Sequence, residues 1–195
     1  MSAPTLYVRR GRREDIDTIY EWRWATAAWL ARTHDTDQWS TPYPRANLEN
    51  WVDRGETFMA SLEPDGEPVA TITSSSEGDP QLWTPEELTR PARYVSKANV
   101  TRAHAGRDIG ATLFAWARHT AAEAGAEVVR IDVWSTNEKL QDLYRRRGFR
   151  YLRTVPNTNS GALFEMPARP ASDLSVITTD GSECVIEVKN RSSIR

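Results

Sequence analysis

The stretch from Ala92 to Gly148 limits the possible folds most sharply, because strand-like and helix-like patterns alternate there across short turns. Ala92 to Thr101 reads as a strand. Ile109 to Ala124 reads as a helix, with Ile109, Leu113, Trp116 and Ala117 facing inward and Gly125 as its stop. Val128 to Trp134 alternates as a strand. Asn137 to Arg147 is helical and ends at Gly148, with Ser135 and Glu138 in capping-box spacing. A strand–helix–strand passage needs a crossover, so this part of the sheet is expected to be locally parallel.

The first half reads differently. Leu6 to Arg10 is a short strand, and Glu14 to Ala31 a helix with Ile16, Ile19, Arg23, Ala27 and Leu30 on one stripe. Thr33 to Pro44 is a polar loop, and Arg45 to Arg54 a second helix. Thr57 to Glu63 and Pro68 to Ser74 form a hairpin across Pro64-Asp65-Gly66. Glu77 to Pro91 is an irregular, proline-rich insertion with a helical turn at Pro85 to Leu88. Phe149 to Val155 and Ala162 to Met166 add two strands. The predicted fold is an α/β mixed sheet in the order β-α-α-β-β-β-α-β-α-β-β. Residues 1–166 form the domain and residues 167–195 a linker and C-terminal hairpin, alternating around Asp180-Gly181. That tail has three open fates: pairing with another subunit's sheet edge, folding on its own domain, or remaining disordered.

Composition narrows function by exclusion. Hydrophobic residues are 39% and charged residues 27% of the chain, as in an ordinary globular domain. A formal net charge of −2 provides no field for nucleic acid or acidic lipid. No apolar run approaches a membrane span, and no apolar segment follows the basic start, so a cytoplasmic protein, monomeric or homodimeric, is expected. The single cysteine, Cys184, excludes an internal disulfide framework. The three histidines, His34, His104 and His119, lack ligand spacing, so no metal is expected.

Chemistry concentrates at Val100-Thr101-Arg102-Ala103-His104-Ala105-Gly106-Arg107-Asp108-Ile109-Gly110-Ala111. A glycine-bearing turn that opens a helix leaves backbone N–H groups free for a phosphate or pyrophosphate. Downstream come Ile131-Asp132-Val133-Trp134 with Asn137, then Leu143-Tyr144-Arg145-Arg146-Arg147-Gly148-Phe149. These three segments, in this order, resemble the GCN5-related N-acetyltransferase (GNAT) family. The resemblance covers Leu6 to Met166 and is most specific from Val100 to Phe149.

The resemblance implies an acetyl-CoA-dependent N-acetyltransferase acting on a primary amine by direct attack in a ternary complex. By position, Asn99 and Val100 would face the pantetheine arm, and Arg102, Ala105, Gly106, Arg107, Asp108, Ile109, Gly110 and Ala111 would surround the pyrophosphate. Asn137 would lie beside the arm, and Tyr144 would be the general acid that protonates the leaving thiolate. Two residues depart from the family turn, whose pattern is Q/R-x-x-G-x-G/A. Ala105 replaces Gln or Arg, and Asp108 replaces the middle Gly. Asp108 is expected to cap the helix through its side chain. Its charge would oppose a pyrophosphate, with Arg102 and Arg107 offsetting it.

The acceptor is expected to be a small-molecule amine. Eight tryptophans, six of them before residue 84, make the first half aromatic. Asp35, Asp37, Trp39 and Tyr43, with Trp83 and Asp132, are the candidate acceptor residues, since aromatics beside carboxylates suit a cationic amine. Asp35, Asp37 and Asp132 are also candidates for the general base, with Ser96 and Asn99 as poorer ones. Packing alone also accounts for Trp39, Tyr43 and Trp83, and Trp22 and Trp29 are assigned to the core. Acetylation of a protein N-terminus or lysine, and a non-catalytic acyl-CoA sensor, are the alternative functions.

Overall fold

A computed structural model describes residues 4–178 and 183–188. The turn assigned to Asp180-Gly181 lies outside the described residues. The elements are β1 (Leu6–Arg10), α1 (Asp15–His34), α2 (Arg45–Asp53), β2 (Thr57–Ser61), β3 (Ala70–Ser75), α3 (Pro85–Thr89), β4 (Ala92–Val100), α4 (Ile109–Glu123), β5 (Val128–Val133), α5 (Glu138–Arg146), β6 (Arg150–Thr154), β7 (Ala162–Pro167), β8 (Leu174–Thr178) and β9 (Glu183–Val188). Among the described residues the strands form one nine-stranded sheet, in the order β6-β7-β5-β4-β3-β2-β1-β9-β8. Only β4 and β5 pair in parallel, across the α4 crossover, so the expected mixed sheet is observed.

Alternation along β2 separates two apolar layers. Ala60 belongs to the larger core, with Ile72, Val95, Val129, Ile131 and Phe164 from the sheet and Ile109, Leu113, Trp116, Ala117 and Ala121 from α4. Met59 faces the other way and meets Ile16 and Ile19 of α1 and Leu48 and Val52 of α2. Burying each large apolar side chain contributes about 1.5–3 kcal/mol, which holds α4 rigidly across β4 and β5. The N-terminus of α4 is therefore fixed at the ends of these strands.

The described part of the tail folds on its own domain. β9 pairs antiparallel with β1, from Leu6↔Ile186 to Arg9↔Glu183, so the hairpin extends the main sheet. Leu174 and Ile186 enter the α4 core. His119 accepts the Ala171 N–H at Nδ1 (3.2 Å), and Arg118 donates to the Pro167 carbonyl (3.0 Å).

Three local expectations are corrected. Ser135 does not cap α5: its Oγ donates to the Thr158 carbonyl and accepts the Gly161 N–H, while Asn137 is the N-cap and accepts from Leu140 N at 3.0 Å. Asp108 is the N-cap of α4, but its side chain makes no capping bond, because φ 58° and ψ 8° place it in the left-handed region. Trp29 is half-buried and lies under the Arg102 guanidinium, outside both core clusters, whereas Trp22, also half-buried, packs against the α1–α2 cluster as expected.

Candidate active site

The site begins where the sheet comes apart. β4 and β5 pair only at Ala92↔Val128, Arg93↔Val129 and Tyr94↔Arg130. Farther along, β4 stays bonded to β3 as far as Val100, and β5 to β7 as far as Val133. The two strands therefore diverge, and their facing edges carry backbone groups with no strand neighbour. The β3–β4 register slips between Thr71 and Thr73, and Lys97 there takes φ 52°. Such a bulge bends the strand and re-aims side chains. A cleft of about 420 Å³ opens between the parted strands.

One end of this cleft is the glycine-bearing turn. A short helical turn, Arg102–His104, follows β4 and is fastened by His104 Nδ1 to Thr101 Oγ1 at 2.8 Å. The chain then runs exposed through Ala105, Gly106, Arg107 and Asp108 into α4. Gly106 has φ 76°, a conformation that favours glycine, and a side chain there would meet nothing within 4 Å. Among the described residues, the N–H groups from Gly106 to Ala111 have no protein acceptor. They lie at the positive end of a 15-residue helix, an arrangement suited to an anion.

Asp108 adds a negative charge to this turn and, among the described residues, makes no ion pair. Arg102 is committed elsewhere: its guanidinium lies 3.6 Å from the centre of the Trp29 ring. The expectation that Arg102 offsets Asp108 thus meets a competing stacking partner.

The twelve residues expected to bind the cofactor all line this cleft. Asn99 is 8% exposed; its Oδ1 accepts from Thr26 Oγ1 at 3.0 Å and its Nδ2 has no partner. Asn137 also donates to Gln38 Oε1 at 2.6 Å, clasping the loop after α1 to α5. Tyr144 is set by an edge-on aromatic cluster, 5.4 Å from Phe114 and 5.5 Å from Phe149 between ring centres. Burial pushes its phenol up to about 12, so it holds its proton at neutral pH.

A second cleft, of about 500 Å³, adjoins the first. The two share Trp39, Ser96, Lys97, Asp132, Trp134 and Ser160. Asp132 and Lys97 thus stand at the junction. Burial raises the Asp132 carboxyl above its usual range, partly offset by the Lys97 charge. Burial lowers Lys97. The Lys97 ammonium lies 4.3 Å from the Tyr43 ring centre and 5.2 Å from that of Trp51, and those two rings stack at 5.9 Å. Tyr43 is fixed through its carbonyl, which accepts from Tyr20 Oη at 2.6 Å.

Of the expected acceptor residues, Trp39, Tyr43 and Asp132 line this second cleft. Asp35, Asp37 and Trp83 line neither cleft. Asp35 ends α1 in a left-handed conformation, φ 49°. Asp37 accepts from Trp134 Nε1 at 2.7 Å and Thr136 Oγ1 at 3.2 Å, which anchors its loop to β5. Trp83 is 2% exposed, packed against Tyr94 and the buried Arg130 guanidinium. Arg130 Nη1 donates to the Glu87 carbonyl (2.6 Å), and Arg153 holds the Glu87 carboxylate (2.6 Å), so the insertion is bolted to the sheet.

Sequence reasoning passed over Lys97 and read Arg23 only as part of the α1 stripe. The signals were there: an arginine amid apolar stripe positions, and a lysine where the β4 alternation breaks.

A crossover helix opening on free amides beside parted parallel strands makes a cleft suited to a ligand with an anionic group on an extended arm. Residues 16–149 match the model of the acetyltransferase (GNAT) family, and the chain belongs to that family. It is an N-acetyltransferase, and the family uses acetyl-CoA. It is 24% identical over 143 residues to the uncharacterized N-acetyltransferase YesJ of Bacillus subtilis (strain 168), covering 71% of this chain and 78% of that protein. Among solved structures, a GNAT-family acetyltransferase from Listeria monocytogenes 4b F2365 superposes with a TM-score of 0.70 at 23% identity, covering 86% of this chain and 98% of that one. PaiA N-acetyltransferase from Thermoplasma acidophilum, solved in complex with coenzyme A, gives 0.61 at 17% identity, covering 83% and 98%.

Proposed function

We propose that the protein moves an acetyl group from acetyl-CoA to a primary amine of a small molecule, by direct attack in a ternary complex. The observation that carries this reading is the meeting of two clefts at Asp132, one lined by the free-amide turn and Tyr144, the other by aromatic and charged side chains.

The residues present fit coenzyme A. The unpaired N–H groups from Gly106 to Ala111 suit its pyrophosphate, and the open edge of β4 from Val95 to Val100 suits an extended arm of amides. Acetyl-CoA supplies the activated acetyl thioester when bound. Asp132, raised by burial, is the base that takes a proton from the acceptor ammonium. Tyr144 is the acid at the leaving sulfur. The burial that strengthens its hold on the proton also strengthens a thiolate's demand for one, so the two remain matched. Cys184 lies on β9, outside both clefts, with its thiol pushed up to about 11 by burial, which disfavours a covalent acetyl-enzyme. The insertion bolted beside the acceptor cleft favours a small molecule over a protein segment.

Thiol release from acetyl-CoA, measured against an amine panel, tests the reading. Turnover of a small amine, lost in Tyr144→Phe, is the expected result. Full activity in that variant rejects the acid role, and cofactor binding without turnover of any amine favours the sensor.

A further inference from the structure

The acceptor cleft carries more charge than acetyl transfer to a simple amine requires. Three of the cations lining it are Arg23, Arg54 and Lys97, and its acids are Glu77, Asp79 and Asp132. Arg54 pairs with Glu77 at 2.6 Å and also with Glu56, outside the cleft lining, at 2.9 Å. Among the described residues, Arg23, Lys97, Asp79 and Asp132 make no ion pair.

Arg23 is the least expected of these. It is 8% exposed on an otherwise apolar stripe of α1. Its Nη2 donates to the Thr41 carbonyl at 2.7 Å, but Nε and Nη1 have no partner. The Trp24 and Trp39 rings lie 5.3 and 5.9 Å away. Aromatic faces attract a cation but do not satisfy its N–H donors. A buried guanidinium without a counter-ion is costly, and an aliphatic residue would fill this helix position without that cost. Lys97 makes no ion pair either: rings lie around its ammonium, and the Asp132 carboxylate acts on it only from beyond ion-pair distance.

We propose that the acceptor is an amine that also carries a carboxylate, an amino-acid-like zwitterion. Its carboxylate is held toward Arg23 and Lys97, and its amine faces Asp132. The formal charges of the six ionic side chains cancel, so a ligand without net charge but with separated charges fits. A phosphate dianion would leave negative charge uncompensated beside Asp132. Trp39, held at φ 63°, a strained position for a bulky residue, lines the same cleft with its ring centre 5.9 Å from the Arg23 guanidinium.

This inference rests on the acetyl-transfer reading, and the test separates the two. Thiol release is measured with common L-amino acids, their carboxamides, and the amines left by decarboxylation. In parallel, calorimetry measures binding of the same compounds to the protein loaded with coenzyme A. At least one amino acid is expected to be used roughly tenfold or more better than its carboxamide, from the loss of a charged hydrogen bond. Arg23→Gln is expected to abolish that preference through KM, and Arg23→Lys to restore part of it. Coenzyme A binding by both variants confirms that they fold. Equal use or equal binding of amino acid and carboxamide overturns the zwitterion inference. So does a Gln variant that weakens all three compounds by one factor while Lys rescues nothing. Selective binding of an amino acid without turnover of any compound upholds the charge recognition and overturns the acetyl-transfer reading.

Discussion

Asp108 offers the sharpest test of how the turn holds an anion. It occupies a left-handed position at the N-terminus of α4, beside N–H groups that have no protein acceptor. Two effects of Asp108→Gly can be separated. A left-handed L-residue costs up to about 1–2 kcal/mol, less for Asp than for most. Glycine regains that strain but loses about 0.4–1 kcal/mol through the greater freedom of the unfolded chain. Stability is therefore expected to stay nearly unchanged. The charge acts on binding instead. One unit charge about 4 Å from another costs about 1 kcal/mol in bulk water and about 4 kcal/mol at a partly buried surface. The turn is exposed, so the lower figure applies, and coenzyme A is expected to bind about fivefold tighter. Asp108→Asn removes the charge while keeping a residue tolerant of this conformation, and is expected to gain as much. The gain should shrink in ~1 M salt, where screening acts within about 3 Å. Calorimetry on the three proteins at low and high salt reads all of this. Weaker binding by both variants would refute the reasoning, and a gain by Gly alone would move the cause from charge to backbone.

Other outcomes follow from separate parts of the molecule. Asp132→Asn is expected to lower kcat/KM by roughly 10²–10⁴-fold. Because the Asp132 carboxyl is raised, the wild type should lose activity as pH falls through that raised value, and the Asn variant should lack this limb in a pH–rate profile. Glu87 is held down to about 2 by Arg153, from an ordinary value of 4.5. Its stabilisation is therefore complete above pH 4.5 and lost as pH falls toward 2. Solvent exposure limits it to about 1 kcal/mol, and acid titration of Glu87→Gln should show a correspondingly flatter loss. Ile186→Ala, at a fully buried position, is expected to cost about 2–5 kcal/mol in denaturant unfolding. Ile177→Ala, at a 51% exposed one, should stay within about 0.5 kcal/mol.

The fold was legible wherever one face of an element is buried. The stripe of Ile109, Leu113, Trp116 and Ala117 marked the inward side of α4, and the free-amide turn followed from the glycines. What failed were readings of side chains that have several possible partners. Asp37 and Trp83 looked like acceptor residues because loop acids and aromatics suit an amine. The partners that claimed them, Trp134 and Arg130, lie far away in sequence. Lys97 was passed over although the β4 alternation breaks at it, because the bulge that aims it depends on the β3 register. Ser135 had the right spacing for a cap, but the Gly161 turn claimed its hydroxyl.

The pairing of β9 with β1 has a consequence for synthesis. Leu6 and Ile186 are opposite each other in the sheet yet almost a full chain length apart. A ribosome releases the β1, β4 and α4 segments long before it makes the strand that covers them. Through that interval β1 presents an unpaired edge, and part of the apolar face of α4 lacks its Leu174 and Ile186 cover. The nascent chain is therefore most exposed to chaperones, and to association with its neighbours, when the catalytic half has already been made. A premature stop codon after β7 would leave the chain permanently in that vulnerable condition, with every proposed catalytic residue present.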